Sequence, residues 1–268
     1  MNPAASPDGP LSAAAIAAEL GQLSRHFDVE VVAECDSTNA RLLALAEAGA
    51  PSGRVFAALR QTAGRGRRGR SWFSSADDSL TFSLLWRPPP DTALTGLSLA
   101  VGVALARVLE ELGLPGIALK WPNDLLLYGR KLAGVLIELA PGVRRQAVVI
   151  GVGINLRRPR DWPEDLQLTA AALADTGLPL PAASTLLARL LAALSEALVC
   201  FAAEGFASAR EQWLEMHAFQ GSMVRLFSDF AEPIDGLCCG VDSDGALLLE
   251  TAAGVRRVIT GEVSLRPA

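Results

Sequence analysis

KWPNDLLLYGRKLAGVLIE, residues 120 to 138, holds a strand-breaking pair, a glycine turn and two apolar runs of strand length. Trp121-Pro122 stops the short strand that begins at Ile117, because proline has no N–H to offer a sheet ladder. Asp124 to Tyr128 and Lys131 to Leu139 then read as two arms of a hairpin around Gly129-Arg130. Upstream, Leu94 to Leu112 has helical periodicity and is stopped by Gly113 and Pro115. Downstream, Pro141-Gly142 turns the chain into Gln146 to Leu156, which reads as a central strand interrupted by Gly151 and Gly153. Glycines at such positions let something approach the backbone.

The remaining elements extend this frame in both directions. Leu80 to Trp86 is a buried strand, Val55 to Arg60 another, and Val29 to Glu34 a third. A helix capped by Ser37 or Thr38 carries an apolar face of Leu42, Leu43, Leu45 and Ala46 and ends at Gly49 and Pro51. Leu11 to Leu23 reads as a short Ala-rich helix, preceded by a Pro-rich frayed leader over residues 1 to 10. From Asp161 to Gly177 the pattern weakens; helices follow at Pro181 to Gly205 and Phe206 to Met216. After Gly221 come short strands, Met223 to Phe227, Pro233 to Val241, Ala246 to Thr251 and Val255 to Ile259, which describe a small barrel.

Composition narrows the function. The chain has 268 residues, half of them apolar, enough for one large core or a core plus an appendage. With 24 Lys+Arg against 29 Asp+Glu the net charge is −5, which offers no general attraction to nucleic acid or an anionic membrane. The longest nearly apolar run by this reading, Leu97 to Ala106, is about half the roughly 20 residues of a membrane-spanning helix. No charged n-region of a secretory signal precedes Arg25. Cys35, Cys200, Cys238 and Cys239 form no CxxC pair and have no histidine at ligand spacing, which argues against zinc or a disulfide framework and fits a reducing cytosol. A soluble, cytoplasmic chain is expected.

Against that acidic background, Gln61 to Ser71 reads QTAGRGRRGRS, with Arg65, Arg67, Arg68 and Arg70 interleaved with Gly64, Gly66 and Gly69. Glycines let backbone N–H groups face an oxyanion, and guanidinium forks bind carboxylate or phosphate, so an anionic ligand is expected there. A solvated loop is the plainer alternative, and an RNA-binding Arg-Gly segment a third, although the repeats and basic background of such segments are missing. Asn123 and Asp124 offer hard oxygen ligands suited to Mg²⁺ held with a nucleotide phosphate, or else a simple turn with Trp121 filling core. Lys131 is placed to reach a phosphoryl oxygen, or is surface. Ser37-Thr38-Asn39 reads as a cap, Trp72-Phe73 as core aromatics, and Gly151 to Asn155 as a bulged strand that lacks the dinucleotide fingerprint. Two histidines, neither with a nucleophile partner, give an acyl-enzyme hydrolase little support.

Taken together, STN at 37 to 39, QTAGRGRRGRSW at 61 to 72, KWPNDLLL at 120 to 127, KLAGVLIE at 131 to 138 and GVGIN at 151 to 155 resemble the biotin protein ligases in order and spacing. The likeness runs from about Val29 to Arg266 and includes GALLLE at 245 to 250 and GEVSLR at 261 to 266. It implies an α+β fold: a mixed β-sheet flanked by helices over residues 29–220, preceded by a leader and short helix at 1–28, with a small SH3-like β-barrel at 221–268. It also implies an ATP-dependent, AMP-forming ligase that makes biotinyl-5′-AMP, releases pyrophosphate and passes biotin to a lysine of the biotin carboxyl carrier protein of acetyl-CoA carboxylase.

The resemblance assigns residues too. Ser37, Thr38, Asn39 and Gln61 would line the ureido end of a biotin pocket and Trp72 its apolar body. Arg65, Gly66 and Arg67 would close over the carboxylate and α-phosphate. Lys131 would hold the biotin carboxylate and then the phosphoryl oxygen. Asn123, Asp124 and Asn155 would face ATP together with Arg65, Arg67 and Lys131, with Asp124 as the contact to Mg²⁺. Arg67, Lys131 and Asp124 form the catalytic set, and Asp124 could instead serve as base for the acceptor lysine. The family occurs with and without an N-terminal operator-binding domain. Residues 1–28 are too short for one, so a ligase without repressor activity or operator DNA binding is expected. A homodimer paired through an edge strand stays open, and a lipoate or octanoate protein ligase of the same fold is the alternative.

Overall fold

The computed structural model describes residues 11–141, 146–228, 232–259 and 263–267; the leader at residues 1 to 10 lies outside them. In chain order the elements are α1 (Ala13–Leu20), β1 (Asp28–Cys35), α2 (Thr38–Glu47), β2 (Arg54–Gln61), β3 (Ser79–Trp86), α3 (Leu97–Glu111), β4 (Ile117–Lys120), β5 (Asp124–Leu127), β6 (Arg130–Leu139), β7 (Val148–Asn155), α4 (Glu164–Thr169), α5 (Ala183–Glu204), α6 (Ala207–Glu215), β8 (Met223–Ser228), β9 (Ile234–Val241), β10 (Leu247–Thr251), β11 (Gly254–Val258) and β12 (Val263–Pro267). The expected elements are observed to within a few residues; α4 and β12 are additional to them. α3 starts later than its periodicity suggests, because Gly96 just before it takes a left-handed φ of 79° where a Cβ would meet Phe206 at 2.6 Å.

β1 to β7 form one mixed seven-stranded sheet in the order β1-β2-β3-β7-β6-β5-β4. β1 and β2 run parallel and every other neighbouring pair is antiparallel. β7 is central, as expected, but it is not bulged: it pairs in unbroken register with β3 and β6 through Gly151 and Gly153. The irregularity lies one strand pair away, where the β5–β6 register shifts between Leu125 and Leu126.

Side-chain alternation gives the sheet two unlike faces. Leu80, Phe82, Leu84 and Trp86 of β3 and Val148, Ile150, Val152 and Ile154 of β7 enter the main core. α1, α3 and α5 cover that side, with α5 packed on both α1 and α3. α5 is longer and more apolar than the run at Leu97 to Ala106. By length and composition it is the one helix among the described residues that meets the test for a membrane span. In the fold its Leu186, Leu187, Leu190, Leu191, Leu194, Leu198 and Phe201 are buried in the core instead. On the opposite face α2 buries Leu42 and Ala46 against Phe56, Ala58, Leu85 and Val149. α2 covers only part of that face.

β8 to β12 form an antiparallel sheet in the order β11-β10-β9-β8-β12. This is the small all-β unit the turn spacing predicts; among the described residues its outer strands β11 and β12 do not pair with each other. It is attached by Arg210 of α6, which donates to Val241 O at 3.1 and 2.9 Å, and by hydrogen bonds at two further places. Just after α6, Leu119 N–H donates to Met216 O at 2.8 Å and Ala218 N–H to Leu119 O at 2.9 Å, so the connecting segment adds itself to the edge of β4. The His217 ring, stacked on Trp213 with centroids 4.4 Å apart, spans from Leu119 O to Cys238 Sγ at 3.2 Å each. Burial pushes its pKa down, opposed by the bond to Leu119. The other is the fully buried Trp121, whose Nε1–H donates to Gly245 O at 3.1 Å.

Candidate active site

Parallel pairing of β1 with β2 brings Cys35 opposite Gln61, so α2, which begins just beyond Cys35, opens beside the end of β2. Ser37 caps the helix as expected, its side chain accepting from Ala40 N–H at 3.5 Å. Thr38 and Asn39 do more than cap. Gln61 Oε1 accepts from Thr38 N–H at 2.7 Å and from Thr38 Oγ1 at 3.1 Å. Ser83 Oγ lies 2.7 Å from Thr38 Oγ1 and 2.5 Å from Asn39 Oδ1. Asn39 then reaches over β7, where its Oδ1 stands 2.0 Å from the position a Cβ of Gly151 would take. Beyond β7 its Nδ2 donates to Glu138 Oε2 at 2.9 Å. Thr38, Asn39 and Ser83 are all under 5% exposed.

Two hydroxyl protons in this row serve three contacts. Thr38 Oγ–H can go to Gln61 or to Ser83, and Ser83 Oγ–H to Thr38 or to Asn39; one contact of the three therefore carries no proton, while Gln61 Oε1 keeps the Thr38 N–H. The oxygens of the row keep lone pairs that the N–H donors of a ligand can use.

Gln61 to Trp72 leaves the sheet and returns. The loop closes on itself: Arg65 and Ser71 form an antiparallel bridge, Gly66 N–H donates to Arg70 O at 2.7 Å and Trp72 N–H to Gly64 O at 2.8 Å. The tip turns through left-handed Arg68 (φ 62°) and Gly69 (φ 68°). Arg65 Nη2 donates to Glu138 Oε1 at 2.6 Å. Trp72 is laid across the sheet, with its Cε2 2.3 Å from where a Cβ of Gly153 would be and its Cζ3 3.4 Å from that of Gly134. This approach is the reason for Gly153 in β7, and it places Trp72 on the site face, outside the core aromatics. Its Nε1 is buried without a hydrogen-bond partner, an orphan donor worth about 1–3 kcal/mol to satisfy.

The register shift in β6 aims Lys131. Asp124 pairs with Gly134 and Leu126 with Lys131, so the extra residue turns Lys131 to the same face as Gly134, where its Nζ comes 3.3 Å from the Cβ position of Gly134. Lys131 Nζ binds Asp124 Oδ1 at 2.6 Å and sits 5.8 Å from the centre of the Trp72 ring. Arg67 Nη1 donates to Asn123 Oδ1 at 3.4 Å, and Asn123 Nδ2 to Val135 O at 2.6 Å. Burial lowers the Arg67 pKa from its ordinary value; the charge of Asp124 opposes the shift and that of Arg68 adds to it. A guanidinium in that position gains from an entering anion.

Thus Ser37, Thr38, Asn39, Gln61 and Arg65 gather at one end of the exposed sheet face, and Arg67, Trp72, Asn123, Asp124 and Lys131 at the other. Gly66 contributes through its backbone. Asn155 joins only indirectly: its Nδ2 donates to Ala171 O at 2.9 Å and to Lys131 O at 3.5 Å, tying the segment after α4 to the start of β6. Sequence reading missed Ser83 and Glu138. The alternation Ser79, Thr81, Ser83 along an otherwise apolar β3 was the available signal, since a polar row on a strand buried on both faces needs partners. All four cysteines are free, and among the described residues no three His, Cys, Asp or Glu side chains cluster to hold a metal.

Comparison with known proteins follows the same division. Residues 31–155 match the biotin/lipoate A/B protein ligase family and residues 221–266 the biotin protein ligase C terminal domain. The bifunctional ligase/repressor BirA of Escherichia coli is 40% identical over 252 residues, covering 93% of this chain and 77% of that one. The biotin–[acetyl-CoA-carboxylase] ligase of Mycobacterium tuberculosis is 35% identical over 250 residues, 91% of each chain. Among solved structures, the Aquifex aeolicus biotin protein ligase in complex with biotin and ATP superposes with a TM-score of 0.80 at 32% identity, covering 90% of this chain and 99% of that one.

Proposed function

Because the chain belongs to the biotin protein ligase family, we propose that its sheet face binds biotin and ATP, joins them as biotinyl-5′-AMP with release of pyrophosphate, and transfers biotin to a lysine of a biotin carboxyl carrier protein. The observation that carries this reading is the cation group at one end of the face, Lys131 at 2.6 Å from Asp124 with the half-buried Arg67 on Asn123, and a buried row of polar acceptors at the other. A ureido group has two N–H donors and a carbonyl; the acceptor oxygens from Gln61 to Asn39 have lone pairs for those donors, whereas a dithiolane or plain acyl chain offers them none.

In this reading Thr38, Asn39 and Gln61 hold the ureido ring, with Ser37 fixing the helix end that presents them. Trp72 covers the apolar body, and its orphan Nε1–H is available to an oxygen of the ligand. Lys131 and Arg67 draw the biotin carboxylate and the α-phosphate together and stabilise the charge that grows as the carboxylate oxygen bonds to phosphorus and the bond to pyrophosphate breaks. Arg65 and the Gly66 backbone close over the product. Asp124 is the carboxylate that would hold, together with the ATP phosphates, Mg²⁺, an ion that usually keeps waters and few protein ligands and would offset phosphate charge. In transfer, the acceptor amine, with an ordinary pKa of about 10.4, must lose a proton, and Asp124 is the carboxylate in this group able to take it. A reducing cytoplasm suits the four free thiols.

The test is pyrophosphate release from ATP and Mg²⁺ with biotin, lipoate or octanoate, followed by avidin detection of a purified carrier domain. Biotin-dependent release and a labelled carrier are expected. Release with lipoate or octanoate in place of biotin would assign the other substrate class of this fold.

A further inference from the structure

We propose that Glu138 is a positioning residue that couples the polar end of the pocket to Arg65 on the Arg-Gly loop, an inference that rests on the biotin reading above. Glu138 stands near the end of β6, on the far side of β7 from α2, with its side chain about one-fifth exposed. One carboxylate oxygen takes Asn39 Nδ2 at 2.9 Å and the other takes Arg65 Nη2 at 2.6 Å. Asn39 can make this reach only because Gly151 has no side chain: a Cβ there would lie 2.0 Å from Asn39 Oδ1. The result is an unbroken polar line, Gln61–Thr38–Ser83–Asn39–Glu138–Arg65, joining β2, α2, β3, β6 and the loop.

The chemistry of the line makes it sensitive to what fills the pocket. Asn39 has one carbonyl and one amide group, and Glu138 has only acceptors while ionised. When Ser83 gives its proton to Asn39, the amide dipole is aligned to donate to Glu138, and Glu138 presents its other oxygen to Arg65. A ligand N–H bonded at Thr38, Gln61 or Asn39 changes which acceptor the two hydroxyl protons satisfy, and the change reaches the loop through a carboxylate that touches no other described side chain in this line. A glutamine at 138 cannot do the same, because its own amide would face either the Asn39 amide or the Arg65 guanidinium, donor against donor.

Asn39 and Arg65 are not bonded to each other, so any coupling between them has to run through an intermediary, and a mutant cycle detects it. Biotin binding is measured by calorimetry for Asn39→Ser, Arg65→Leu and the double variant, in the native chain and again in Glu138→Gln. Thermal melts check folding, and Ser83→Ala paired with Arg65→Leu repeats the cycle without touching Asn39. With Glu138 present, the double variant is expected to lose less affinity than the product of the singles, by about threefold or more; in Glu138→Gln the losses should multiply. Multiplicative losses with Glu138 present, or coupling that persists in Glu138→Gln, would overturn the role of Glu138 alone. A native chain that binds no biotin would overturn the functional reading and this coupling with it.

Discussion

Val152 and Gly153 are consecutive residues of β7, and they belong to different problems. Val152 points into the core under α3 and α5; Gly153 points the other way and gives its space to the Trp72 ring. The same division runs through β3, where Phe82 is core and Ser83 is one member of the polar row. One face of the sheet holds the fold together through apolar area removed from water, at about 25 cal/mol per Å². The other keeps backbone bare and polar groups paired among themselves, so that a ligand can lie on it. A strand with no bulge and two glycines is therefore a floor, and its glycines are explained by what rests on them.

The largest expected effect is at the charged end of that floor. Lys131→Ala should reduce biotin-dependent pyrophosphate release by about 100-fold or more, the scale of removing one group that stabilises transition-state charge, while the melting temperature barely moves. Single-turnover kinetics with saturating biotin checks this. Next, the contrast between faces can be broken directly. Gly153→Ala puts a methyl group 2.3 Å from Trp72 Cε2 and should weaken biotin binding about tenfold or more, with overpacking of about 1–3 kcal/mol. Val152→Ala should lower stability by about 1–3 kcal/mol and leave biotin affinity nearly unchanged. Calorimetry and denaturant melts on the two variants separate the outcomes; equal effects on binding would erase the distinction.

Smaller effects test how the C-terminal sheet supports this floor. Trp121→Phe removes the N–H that Gly245 O accepts and leaves that carbonyl unsatisfied, at about 1–3 kcal/mol. Because Trp121 adjoins Asn123 and Asp124, the KM for ATP should rise more than the Kd for biotin. The smallest effect is the pH dependence at His217. Burial holds its folded-state pKa below the ordinary value of 6.5. Above that value both states are neutral there. As pH falls below it, the unfolded chain takes up a proton that the folded chain refuses, and stability is lost until the folded pKa is passed. Melts between pH 8 and pH 5 should show a decline on the acid side that His217→Asn flattens.

Much of this was legible in the sequence, for physical reasons that also mark where reading stops. The hairpin at Asp124 to Leu139 and the small C-terminal sheet announce themselves through turn residues between apolar runs, which are local signals. So does the Ser37 cap. The bulge was assigned to the wrong strand: glycines in β7 suggested one there, whereas the register shift lies at β5–β6 and turns Lys131 to the face of Gly134. Register depends on how two strands pair, even neighbours in a hairpin, and neither strand carries it alone. Glu138 was passed over because a single carboxylate at a strand end looks like surface; its partners Asn39 and Arg65 are 99 and 73 residues away. The Arg-Gly loop has no apolar face to announce its form, and it closes through Gly66 N–H to Arg70 O and the bridge from Arg65 to Ser71.

The central claim is that the bare face of the sheet recognises a ligand rich in N–H donors at one end and an anion at the other. It is tested most directly by titrating biotin and then lipoate into the protein in the presence of a nonhydrolysable ATP analogue. The account predicts saturable binding of biotin, weakened about tenfold or more in Gly153→Ala, and little or none of lipoate. Lipoate bound as tightly as biotin, or biotin bound equally well after Gly153→Ala, would contradict it.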